Sequence, residues 1–287
     1  MRRFHLFVTI IIACMLIAPS AFAGWRDWGH DKIEGSGNVI TQEREISSVD
    51  AVELATIGRM YIEIGNEEKL VIEAEDNVIE YFDVDVFGGR LTIDIKRDVN
   101  LRLNEPVRYY LTVKELTEVE VSSSGDIEVP DITADKFYVI VGSSGDIDMG
   151  NLTCTALDVR IKSSGDVTLR DVKAENTEID INSSGDVRLE SLNGKFLVVD
   201  INSSGNVRID GGVVEEQDVS ISSSGDYRAK RLESKTAHVS SHSSGDAEVF
   251  ATDYLKARLG SSGDVYYAGD PRVNEREGSS GRVRRIR

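Results

Sequence analysis

Apolar and polar residues alternate with period two along most of the chain, and from residue 121 onward the alternation is locked to a recurring corner. Ser-Ser-Gly places its glycine at Gly125, Gly145, Gly165, Gly185, Gly205, Gly225, Gly245, Gly263 and Gly281, stepping by 20 residues six times and then by 18 twice. Six positions before the glycine stand Val119, Val139, Val159, Ile179, Val199, Val219, Val239 and Ala257. Four before stand Val121, Val141, Ile161, Ile181, Ile201, Ile221, Ser241 and Leu259, and two after stand Ile127, Ile147, Val167, Val187, Val207, Tyr227, Ala247, Val265 and Val283. A period near 20 is too short for a pair of helices and fits one coil of a β-helix, in which equivalent residues stack as ladders. Branched side chains in these columns face inward, and the Asp, Arg, Lys, Glu and Asn between them face water. The expected fold is all-β: a right-handed parallel β-helix, or β-solenoid, of ~20-residue coils with Ser-Ser-Gly-Asp corners. The corner glycine is expected to supply a positive φ, and the 18-residue steps to shorten the less regular side of the coil.

Residues 33–120 alternate in the same way without the tidy corner. Strands are expected at Met60–Ile64, Leu70–Ala74, Leu91–Ile95 and Tyr110–Val113, turns at Gly65-Asn66 and Gly88-Gly89, and one helical turn within Glu75–Tyr81. With no linker rich in Pro, Gly or Ser, residues 33–120 read as irregular coils and a cap, continuous as one domain with the regular repeats of residues 121–287.

The N-terminus has the order of a secretory signal peptide: Arg2-Arg3, an apolar run from Phe4 to Ala18, then Ala21-Phe22-Ala23. Cleavage after Ala23 is expected, with residues 24–32 as a leader that contains Trp25 and Trp28. Ile11-Ile12-Ala13-Cys14 offers a competing lipoprotein-type signal. Nothing later approaches the length of an apolar membrane span. Losing Arg2 and Arg3 takes the formal charge from −17 to −19, which repels phosphate and argues against nucleic acid as a partner. Cys154 is then the single remaining cysteine, so no internal disulfide or paired-cysteine zinc site can form.

The segments Ile33-Glu34-Gly35-Ser36-Gly37-Asn38-Val39, Arg44-Glu45-Ile46 and Val49-Asp50-Ala51-Val52, followed by the chain of Ser-Ser-Gly-Asp corners, resemble the head GIN domain family. That resemblance, over about residues 33–270, implies an exported bacterial β-helix with an adhesin-like label and no established function. Only Arg-Val-Arg-Arg-Ile-Arg follows Gly281, so a self-secreting autotransporter with its own barrel is not expected.

Candidate chemistry is sparse. The corner acids Asp126, Asp146, Asp166, Asp186, Asp226, Asp246 and Asp264 could chelate calcium, but Asn206 in the same column favours simple capping of a corner amide. No cofactor is expected. Mature histidines are His30, His238 and His242, and the serines occupy equivalent corners, so no nucleophilic triad stands out. Cys154, outside the columns above, reads as a small buried residue. A ladder of Ser pairs of the ice-binding type is disfavoured by the hydrated Asp beside it. The expected function is a non-enzymatic, exported binding or adhesive module, in the periplasm, on the outer surface or secreted, whose partner would be a cell-surface glycan or protein. The alternative is a carbohydrate-active enzyme, a polysaccharide lyase or hydrolase on the same scaffold, for which one coil would have to gather acids, a base and an aromatic in a groove. No coil among 125–245 visibly does so.

Overall fold

In the computed structural model, residues 31–286 are described apart from Ser279. The signal peptide, Cys14, Trp25, Trp28 and His30 lie outside the described residues. Twenty-two strands are joined in one hydrogen-bonded ladder, and Asp31–Glu34 pairs separately, in parallel, with Val99–Arg102.

The regular part is a stack of parallel coils. Val167–Ile181 pairs in parallel with Val187–Ile201, from Val167↔Val187 to Ile181↔Ile201, every partner being the residue one repeat away. Within this coil Val167, Leu169, Val172, Ala174, Thr177, Ile179 and Ile181 are buried. Alternation slips by one residue at Arg170-Asp171 and again at Glu175-Asn176, where two successive residues are exposed. Strand side chains point to opposite faces in turn, so each slip marks a bend and the coil has three sides. The three inward columns legible in the sequence belong to the first and third sides. The second side, with Leu152, Val172, Leu192 and Leu232 in one column and Ala174, Val214 and Ser234 in the next, was hidden by the change of phase. Removing an aliphatic side chain from water in such a ladder stabilises by about 1.5–3 kcal/mol, and the ladders supply one continuous core.

The corner glycines do not have the left-handed φ expected of them: the glycines with positive φ are Gly37, Gly58, Gly88, Gly89, Gly212 and Gly269. Their reason is close approach. A Cβ on Gly165 would lie 2.0 Å from the carbonyl oxygen of Gly145, and one on Gly185 would lie 2.1 Å from that of Gly165. Gly165 N–H also donates to Ser143 O at 3.1 Å, which pins successive corners together. Only a residue without a side chain fits between coils at rung spacing.

The first shortened step falls after the corner, opposite the Ser-Ser-Gly side. Tyr227 pairs with Ala247, but Glu233 pairs with Phe250 and Thr236 with Tyr254, with register shifts between Arg228 and Glu233 and between Ser234 and Thr236. Polar side chains fill the interior there: buried Tyr227 donates its hydroxyl to Gln217 Oε1 at 2.7 Å, Gln217 Nε2 donates to Leu232 O at 3.1 Å, and Ser234 Oγ donates to Phe250 O at 2.7 Å. Ser241, the polar exception in a column of Val and Ile, donates to Gly245 O at 2.9 Å. These four buried polar side chains thus have partners, as a low-dielectric interior requires.

The strands expected before residue 120 are present as Arg59–Ile64, Lys69–Glu75, Arg90–Ile95 and Arg108–Val113, and the helical turn is the short 3-10 segment Ile79–Tyr81. Their pairing mixes directions. Ala51–Leu54 runs parallel between Arg90–Ile95 and Glu118–Val121, and Arg59–Ile64 runs parallel between Arg108–Val113 and Asp126–Val129. Antiparallel strands follow: Lys69–Glu75 on Arg108–Val113, Val39–Arg44 on Lys69–Glu75, and Phe82–Phe87 on Arg90–Ile95. Gly88 and Gly89, at φ 59° and 88°, make the two-residue hairpin that joins the last pair.

Candidate functional site

The corner acids line one edge of the stack, and each spends an oxygen on the next coil. Oδ1 of Asp126, Asp146 and Asp166 accepts the N–H of Asp146, Asp166 and Asp186 at 3.2, 2.8 and 2.8 Å. Asp186, Asp226, Asp246 and Asp264 accept from Asn206, Asp246, Asp264 and Arg282 at 2.8, 3.0, 2.7 and 2.7 Å. Asn206 Oδ1 does the same for Asp226 N–H at 3.0 Å, so a neutral side chain of the same shape serves. Burial pushes the Asp166 carboxyl above its ordinary range, with the charges of Asp186 and Asp146 adding and the Asp186 amide opposing. Among the described residues no group of three or more His, Cys, Asp or Glu side chains is arranged to hold a metal ion.

Cys154 belongs to an inward column after all, level with Ala174 and, further along, Val214 and Ser234 on the second side. Burial, with a smaller push from Asp135, raises its thiol to about 11, so it stays protonated at neutral pH. His238 Nδ1 lies 3.6 Å from Glu216 and its ring meets Tyr254 edge-on at 6.3 Å. Neither His238 nor His242 is hydrogen-bonded to a serine hydroxyl among the described residues.

The third side carries a feature that the repeat columns conceal. Successive strands bring Tyr138, Asp158, Glu178 and Val198 into one outward column, and Lys136, Ala156, Asn176 and Phe196 into the next. On a face otherwise dominated by charge, Tyr138, Phe196 and Val198 are 37%, 46% and 40% exposed. They stand at opposite ends of a cleft of about 230 Å³, separated by three rungs, roughly 14 Å at β spacing. Short Ala156 and Asn176 line it between the two ends. Arg160 donates to Asp158 Oδ2 at 2.6 Å, whereas Glu178 and Asn176 have no side-chain partner among the described residues. Beside the cleft, Asp180 stacks on Asp200, and burial followed by the charges of Asp200 and Asp158 raises its carboxyl above the usual range, with Arg160 opposing. Lys136 and Tyr138, Asp158, Glu178, and Phe196 thus line the cleft from four successive coils, and no one of these coils brings an acid, a base and an aromatic ring to it together. The sequence signal was available: Tyr138, Phe196 and Val198 are large apolar residues in outward columns that also hold Lys136, Asp158, Asn176 and Glu178. Larger clefts beside Arg44 and Glu45 are lined mostly by charged and polar side chains.

This architecture defines a β-solenoid whose chemistry is presented on its outer faces. The chain belongs to the family described as "Putative auto-transporter adhesin, head GIN domain", whose model matches residues 48–170 and again 163–271. Among solved structures it is similar to a "putative lipid binding protein" from Parabacteroides distasonis, at 23% identity and TM-score 0.68, covering 89% of this chain and all of that one. It is equally similar to a "putative adhesin" from Parabacteroides merdae, at 19% identity and TM-score 0.68, covering 90% of this chain and all of the other. At these identities the likeness concerns the fold. No curated protein matches the sequence.

Proposed function

We propose that the chain is an exported, non-enzymatic, adhesin-like module that binds its partner through the third-side cleft. The observation that carries this reading is the pairing of exposed Tyr138 with exposed Phe196 and Val198, with short Ala156 and Asn176 between them, on a surface where apolar groups have no structural reason to stand in water. A rigid parallel sheet holds both ends of the cleft, so little ordering is needed when a partner binds. Family membership and the name of one of the two similar structures support an adhesive role at the cell exterior. The test is attachment of beads coated with the mature chain, residues 24–287, to bacterial and host cell surfaces. Beads carrying Tyr138→Ala/Phe196→Ala should lose most attachment while Val213→Ala, exposed elsewhere on the coil, leaves it unchanged. Equal attachment by all three, or by none including the unaltered chain, contradicts the proposal. Cleavage of a bound polysaccharide would favour the carbohydrate-active alternative.

A further inference from the structure

We infer that the cleft between Tyr138 and Phe196 takes a glycan free of acidic groups, an oligosaccharide of neutral or amino sugars. The inference rests on the binding reading above and names its ligand class. Exposed aromatic rings at both ends offer faces on which the C–H surfaces of sugar rings can lie, and the unpartnered amide of Asn176 and carboxylate of Glu178 between them can bond hydroxyl or ammonium groups. Charge selects within the glycans. Asp158, Glu178, Asp180 and Asp200 outnumber Lys136 and Arg160 on this patch, and the whole chain carries −17, so uronate, sialyl or sulfate groups are repelled.

The sheet itself argues against an extended peptide. Peptides commonly gain affinity by adding a strand to an open edge, but the strands under the cleft lie in mid-ladder, with Val159 paired to both Val139 and Ile179. A ligand here can be read by side chains alone. Acyl chains are a poor fit as well, because Asp158 and Glu178 interrupt the apolar column between Tyr138 and Val198.

The deciding experiment exposes the mature chain to an array holding neutral, amino and acidic glycans together with basic and apolar peptides. Binding should be confined to the neutral and amino glycans and fall at least tenfold with either Tyr138→Ala or Phe196→Ala, circular dichroism confirming the fold. Glu178→Lys should admit acidic glycans that the unaltered chain refuses. Preference for acidic glycans, indifference to both aromatic variants, or binding of peptides alone would overturn the inference. A chain that attaches to cells yet binds no arrayed glycan would also sink it while leaving the adhesive reading standing. A chain that attaches to nothing would remove both.

Discussion

The corner glycine shows how one residue type can be required for a reason the sequence does not reveal. Its recurrence was plain, but a turn glycine suggests left-handed φ, whereas the stacked structure demands an absent Cβ. Gly165→Ala should therefore force the Gly145 corner apart and cost about 1–3 kcal/mol, the range of an overpacked core. Gly211→Ala, with open space around the added methyl and no left-handed φ, should cost far less. Urea midpoints of the two variants check the contrast. The stacked acids make a second residue-scale prediction. Because the folded-state carboxyl of Asp180 is raised, protonation favours the fold: its contribution is fully present below the unfolded value of 3.8 and is lost as pH rises through the folded value. Asp180→Asn should thus unfold at higher urea than the unaltered chain at pH 7, with the gap closing below pH 3.8. A gap that stays constant with pH would assign the effect to something other than charge.

At the scale of the element, strand positions were legible because period-two alternation and β-branched columns are local signals. Strand direction was not: Lys69–Glu75 alternates like its neighbours, yet it runs antiparallel to them, and the turns at Gly65-Asn66 and Gly88-Gly89 announced reversals without saying which strands would pair. The second side of the coil was missed because bends at Arg170-Asp171 and Glu175-Asn176 shift the phase, and because its inner column mixes Cys154, Ala174, Gly194, Val214 and Ser234. The cleft was missed for a related reason. Its residues are 20 apart, and columns searched for sameness do not display their exceptions. The corner itself is the element on which calcium was considered. With one Asp oxygen already accepting the next coil's amide, saturating calcium after chelation should leave the melting temperature within about a degree, whereas a specific ion would stabilise by several kcal/mol. Asp166→Ala, which abandons the Asp186 amide, should lose on the order of 1 kcal/mol that Asp166→Asn retains.

For the whole molecule, the decisive property is that each regular coil touches chiefly the coil before and the coil after, with partners offset by one repeat. Such a column should tolerate a change in the number of coils but not a change in their phase. Deleting Asp166–Gly185 joins Gly165 to Asp186, keeps every inward ladder, and shortens the stack by about 4.8 Å. Deleting the ten residues Asp166–Glu175 sets the strand of the third side on the rows of the first and carries the Ser-Ser-Gly corner onto the second side, where Asn182 and Ser184 fall in the inward places of Val172 and Ala174. Urea unfolding followed by circular dichroism is the direct measurement: the 20-residue deletion should unfold cooperatively at a midpoint only modestly below that of the full chain, and the ten-residue deletion should show no cooperative transition. Equal damage from the two deletions would contradict the stacked-coil account.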